Sequence, residues 1–184
     1  YILHKPTNYI DLLKAKQSQI IRELIANELS YRNFTNTDEG RIKFSAISLN
    51  KYIKALDFEL TESQNNVISE IAFDMYQDKR MNRIIIGDVG SGKTIVAVMA
   101  AIIAVKNGYQ VAFMAPTELL AMQHFKNYRE FLSQFDIRTD IILGSTKNKD
   151  RKLILNQIYN GDINIVFGTH SLFQDKVNYK NLGL

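Results

Sequence analysis

Gly87-Asp88-Val89-Gly90-Ser91-Gly92-Lys93-Thr94 satisfies the pattern G-x-x-x-x-G-K-[ST]. Glycines at its turning points let successive backbone N–H groups point inward at a phosphate, where a Cβ would obstruct the approach. A helix that starts at Lys93 adds the positive end of its dipole to that cradle. In such a loop the lysine, here Lys93, reaches the β- and γ-phosphates, and the hydroxyl of Thr94 ligates Mg²⁺. The alternative is a tight left-handed turn carrying a solvated lysine. The context decides against it, because an apolar run, Ile84–Ile86, leads straight into Gly87 and a series of helix formers follows Lys93. This spacing predicts a nucleotide site, with Lys93 and Thr94 doing the chemistry and all of 87–94 holding the ligand.

Gln64 lies upstream of the loop in Thr61-Glu62-Ser63-Gln64. Its local reading is a capping box, in which Thr61 caps a helix and Gln64 returns a hydrogen bond to the Thr61 backbone. Its functional reading is recognition of an adenine edge by the side-chain amide. The cap is the preferred reading on sequence. Phe58 could stack on a base or sit in the core, and the core is preferred.

Two further spots combine a strand end with small polar residues. Pro116-Thr117 precedes a helix, so Thr117 either caps that helix or helps exposed N–H groups hold a phosphate. Gly168-Thr169-His170 ends a later strand and so lies on the same rim, the ligand edge of an open parallel sheet; by themselves Thr169 and His170 read as simple loop residues. Lys147, Lys149, Arg151 and Lys152, diluted by Asp150, read as solvated surface. His is too scarce, at three, and Cys absent, so a metal site made only of protein ligands is not expected.

The elements that must position these residues follow from periodicity. Leu12, Leu13, Ile20, Ile21, Leu24, Ile25 and Leu29 recur at three- and four-residue steps, which predicts an amphipathic helix over 9–34. A turn-rich break, NFTNTDEG, follows, and then a shorter helix over about 45–55. From Leu60 helices alternate with short apolar runs. Helices are expected over 61–77, 93–106, 117–132 and 150–159, and strands over 83–86, 110–115, 137–143 and 163–167. Crossovers of ten or more residues require parallel pairing. The runs IIIG and INIVFG lack alternation, as strands buried on both faces do. The expected fold class is α/β: a three-layer parallel sheet of the RecA-like P-loop NTPase type in 57–184, preceded by a helical linker in 1–56.

Length and composition exclude several other classes. The chain has 184 residues, 46% hydrophobic and 23% charged, enough for one core and too balanced for a disordered tail. The apolar run Ile95–Val105 is about half of the ~20 residues a membrane helix needs. The opening YILHKPTNYIDLLK carries charge where a secretory leader needs an apolar stretch. Net charge is +4, and all of it comes from residues 1–56; residues 57–184 balance. Binding of a polyanion by 57–184 must therefore use local sites rather than bulk charge. The first residue is Tyr1 and the last residues are Asn181-Leu182-Gly183-Leu184, which predicts an excerpt of a longer protein.

Taken together, several blocks resemble the bacterial RecG family of superfamily 2 ATP-dependent DNA helicases. They are MNRIIIGDVGSGKT (81–94), GYQVAFMAPTELLAMQH (108–124), GTHSLFQDKV (168–177) and LDFELTESQ (57–65), and AKQSQIIRELIANELSYR (15–32) resembles that family's linker helices. The family usually has Pro at the position of Asp57 and Glu at that of Met122. Transcription-repair coupling translocases share the GDVG-GKT and GTH blocks, but usually have Phe at the position of Ser91.

The RecG resemblance implies ATP and Mg²⁺ as cofactors, with Phe58 and Gln64 at the base and Thr94 on the metal. It implies DNA contacts at Pro116, Thr117, Gly168, Thr169 and His170. It implies a bacterial, cytoplasmic monomer that remodels forked DNA and Holliday junctions in recombination and repair, with single-stranded DNA-binding protein as a candidate partner. It also places the acidic DEQH motif after Leu184, an arginine finger in a second motor domain, and a wedge domain before Tyr1. The rival from another class is a nucleotide switch whose helical segment engages a protein.

Overall fold

The computed structural model describes residues 21, 25, 42–78, 80–173 and 177–184. Packing divides the chain into two compact units, 1–41 and 42–184. The helix expected over 9–34 and the break at 33–40 lie outside the described residues, apart from Ile21 and Ile25, both helical. In the second unit the elements run α1 (Asn50–Ile53), α2 (Glu62–Tyr76), α3 (Lys93–Lys106), β1 (Val111–Met114), α4 (Glu118–Ser133), β2 (Thr139–Ile142), α5 (Asn148–Asn160), β3 (Ile165–Gly168) and a 3₁₀ turn at His170–Phe173.

The strands form a parallel sheet in the order β1-β3-β2. Val111 and Thr139 flank Ile165, and Met114 and Ile142 flank Gly168. Central β3 is buried at all four positions, as its unbroken apolar run requires. Helix α3 is buried from Ile95 to Ala104 except at Ala97, because it is apolar on nearly every side. With α2 and the sheet it builds a core of Ile68, Ile71, Met75, Met99, Ile103 and Phe167. Gly161, in left-handed backbone at φ 81°, ends α5 as the sequence predicts.

Two expectations need correction. Residues 83–86 are not a buried strand: Ile84 and Ile86 are 83% and 91% exposed. The outer edge of β1 is taken instead by 181–184, through Gln110 N–H to Asn181 O (2.7 Å), Gly183 N–H to Gln110 O (2.8 Å) and Ala112 N–H to Leu184 O (2.8 Å). An apolar groove of about 270 Å³, lined by Met81, Ile85, Phe113 and Leu184 among others, lies between 83–86 and β1. Side chains hold the segment: Ile85 packs on the core, and Arg83 bridges Glu70 (2.5 Å) and Asp74 (2.6 Å) on α2.

The helix expected over 45–55 shrinks to Asn50–Ile53, because Asn107 takes both backbone groups of Ser45. Asn107 Oδ1 accepts from Ser45 N–H (2.6 Å), and Asn107 Nδ2 donates to Ser45 O (3.1 Å). The compact unit starts at Ile42, and Phe44, Leu49 and Tyr52 are buried in its core.

Candidate nucleotide and nucleic-acid site

The loop 87–92 runs into α3 through Gly92, which sits at φ 77°; Gly90 lies at φ 82°. Both are left-handed conformations that other residues adopt at a cost of roughly 1–2 kcal/mol. A Cβ on Gly87 would come within 2.9 Å of Ser91 Oγ, and one on Gly92 would overlap Gln64 Nε2. The loop is therefore a bare backbone cradle at a helix N-terminus, which fits a nucleoside polyphosphate. Lys93 Nζ is held inside it, donating to Gly87 O (2.8 Å) and Asp88 O (2.6 Å). Thr94 is half-buried in the first turn of α3, where its hydroxyl would hold Mg²⁺.

Gln64 combines the cap with a link to the loop. Its Oε1 accepts from Thr61 N–H (2.9 Å) while Thr61 Oγ1 accepts from Gln64 N–H (3.2 Å), a complete capping box. Its Nε2 donates to Ser91 O at 2.9 Å. The start of α2 is thus tied to the phosphate loop. Phe58 is 53% exposed, which corrects the expectation that it sits in the core.

The parallel sheet brings 116–117 and 168–170 to one edge. Thr117 is the N-cap of α4, its hydroxyl accepting from Leu120 N–H at 3.3 Å, and both Pro116 and Thr117 are exposed. Gly168 and Thr169 are buried, so of the three residues at the end of β3 only His170 presents its side chain. Gly168 is there for closeness: a Cβ would lie 2.5 Å from Ile142 O and 2.9 Å from Leu172. Thr169 and Ser171 hydroxyls pair with each other at 3.3 Å. Lys147, Lys149 and Lys152 are exposed, as read from sequence.

Periodicity gave no sign of two other features. Glu118 bonds the loop after β2, accepting from Ser145 N–H (3.1 Å) and Ser145 Oγ (2.7 Å). The Ser145 hydroxyl and amide, with the Gly144 amide, hold the Glu118 carboxyl below its ordinary range. Gln110 is buried, donating to Ile158 O (2.9 Å) and Ile163 O (2.8 Å) and accepting from Lys180 N–H (2.8 Å) and Asn181 N–H (3.1 Å). Among the described residues no group of His, Asp or Glu is arranged to hold a metal ion by itself, and no helix is long and apolar enough to cross a membrane.

Comparison with known proteins matches this geometry. A DEAD/DEAH box helicase family model matches residues 61–184. The chain is 40% identical over 182 residues to the ATP-dependent DNA helicase RecG of Borreliella burgdorferi, covering 98% of this chain and 26% of that protein. It is 46% identical over 135 residues to RecG of Aquifex aeolicus, covering 73% of this chain and 17% of that protein. Among solved structures, RecG bound to a three-way DNA junction aligns with a TM-score of 0.76 at 36% identity, over 96% of this chain and 25% of that one. A hypothetical ATP-dependent RNA helicase from Sulfolobus tokodaii shares the fold, with a TM-score of 0.51 at 22% identity over 71% of this chain and 37% of that one. The chain spans about a quarter of the length of the RecG relative from Borreliella burgdorferi. With 61–184 matched by the family model and RecG proteins aligned along nearly all of it, the chain belongs to the DEAD/DEAH box helicase family and resembles its RecG members.

Proposed function

We propose that this chain is the ATP-binding part of an ATP-dependent DNA helicase that remodels branched DNA, such as stalled forks and Holliday junctions. The observation that carries the reading is the glycine-rich loop at the start of α3, with Lys93 folded into it, in a chain that aligns over 96% of its length with RecG on a three-way junction. Residues 87–94 would hold the phosphates, with Lys93 as the cation for the β- and γ-phosphates and Thr94 as the hydroxyl ligand of Mg²⁺. Gln64, already bonded to Ser91, and exposed Phe58 would contact the base of the nucleotide. When bound, ATP supplies the phosphoanhydride whose cleavage drives movement along DNA. Pro116, Thr117 and His170 meet the DNA backbone directly, while buried Gly168 and Thr169 shape the loop that carries His170. Residues 1–56 serve as the helical linker, and 57–184 as the first part of the first motor domain of a bacterial, cytoplasmic enzyme.

Calorimetric titration of the chain with Mg-ADP, beside anisotropy of a labelled three-way DNA junction, tests this. Both ligands bind on this reading, and Lys93→Ala abolishes the first only. Equal Mg-ADP binding by wild type and Lys93→Ala would remove the nucleotide assignment.

A further inference from the structure

The strand order places β3 between β1 and β2, so the loops leaving β1 and β2 start two strand spacings apart, roughly 10 Å. Helix α4 packs on both β2 and β3, and this brings its first residue, Glu118, to the far loop. There the carboxylate takes the amide and the hydroxyl of Ser145. Gly144 permits this approach, since a Cβ would lie 2.9 Å from Glu118 Oε1. Within the same loop, Thr146 Oγ1 accepts from Leu143 N–H at 2.9 Å, and exposed Lys147 then opens α5.

We infer that Glu118 is a positioning residue of the DNA-facing rim: its side chain holds the loop 144–147 against the turn at Thr117, so that two loops 27 residues apart meet a nucleic-acid backbone as one surface. The inference rests on the function proposed above. An acid on a rim that approaches phosphates is unfavourable by charge alone. Glu118 offsets this in two ways. It sits in the first turn of α4, where the helix dipole favours a negative group. Its oxygens are also occupied by donors of the loop, with the lowered carboxyl pKa as the corresponding sign. What the carboxylate does at this place is hold the second loop.

The two roles predict opposite signs. If Glu118 matters only by its charge, removing it tightens binding of a polyanion. If it positions the loop, removing it weakens binding although a negative charge has gone. The test uses the 184-residue chain and a fluorescein-labelled three-way DNA junction, with Glu118→Ala, Glu118→Gln and Ser145→Ala compared by anisotropy and each variant's folding checked by thermal unfolding. Glu118→Ala should weaken junction binding about fivefold, the scale of one net hydrogen bond. Glu118→Gln keeps an acceptor for Ser145 and should bind close to wild type. Ser145→Ala, which removes one exposed hydroxyl and leaves the backbone intact, should fall between them. Mg-ADP titration should be the same for all four proteins, because the phosphate loop is untouched. Junction binding by Glu118→Ala as tight as wild type, or tighter, would overturn the inference. A wild-type chain that binds Mg-ADP but no junction would instead overturn the DNA reading itself, and this inference with it.

Discussion

Gln64 spends both ends of its amide on local structure, one on the Thr61 backbone and one on Ser91 O. The capping reading and the nucleotide reading are therefore not exclusive: the cap is what points Nε2 at the loop. Gln64→Ala should cost about 1 kcal/mol of stability, the scale of a lost cap. It should also weaken Mg-ADP binding, because Ser91 loses its tether. Chemical denaturation and calorimetry on the same variant separate the two effects; a stability loss with unchanged nucleotide affinity would leave Gln64 as a cap alone. Lys93 is the simpler case. Its ammonium already points into the cradle, so a phosphate has only to replace two carbonyls. This is why Lys93→Ala is expected to abolish binding rather than merely reduce it.

Among the elements, segment 181–184 and helix α4 carry the clearest consequences. Gln110 joins the end of α5, the start of β3 and residues 180–181 through four hydrogen bonds in a buried position. Gln110→Leu keeps the volume but strands two carbonyls and two amides, which should cost about 2–3 kcal/mol in urea unfolding. It should also release the amide of Gly183 to faster hydrogen exchange. If Gly183 stays protected, the pairing of 181–184 with β1 does not depend on Gln110.

On α4, His124 packs against Phe113 with ring centroids 5.7 Å apart, and burial lowers its pKa from the ordinary 6.5. The unfolded chain then binds more protons than the folded one between the lowered value and 6.5, so stability rises with pH across that window. Acidification from neutral pH through that window should lower the unfolding midpoint, and His124→Gln should flatten this part of the profile. An identical slope in the variant would assign the pH dependence to other groups.

At the scale of the whole molecule, binding and turnover separate. Phosphoryl transfer from ATP to water needs a cradle, a carboxylate to order Mg²⁺ and water, and a cation for the developing charge; an arginine supplied in trans is worth ~10³–10⁵ in rate. The described residues near the cradle supply only the first. Asp88 is part of the loop itself, and Glu118 is engaged by Ser145. Residues 1–184 should therefore bind Mg-ADP yet release no phosphate above the Lys93→Ala background, with or without a model fork. A chain of the length of the RecG relatives should show DNA-stimulated release. Turnover by the 184 residues that DNA stimulates and Lys93→Ala removes would mean that the catalytic acid lies within them.

What the sequence determined by itself was whatever depends on neighbours a few residues away. The glycine turns of 87–92, the caps at Thr61 and Thr117, the left-handed stop at Gly161 and the buried run of β3 are all local in this sense, since their partners lie within a few positions or in a uniform apolar surround. Tertiary structure alone decided the rest. IIIG has the propensity of a strand, but strands exist by pairing, and 181–184 holds the edge of β1 on the far side of a groove. Ser45–Leu49 has a helical pattern, but Asn107, 62 residues away, claims the Ser45 backbone. Gly168 and Thr169 share a motif with His170, yet the close approach of Ile142 and Leu172 buries them and leaves the histidine outside. Glu118 and Ser145 are unremarkable in the sequence. They become a pair because the strand order carries α4 across β3, and only the folded chain measures that distance.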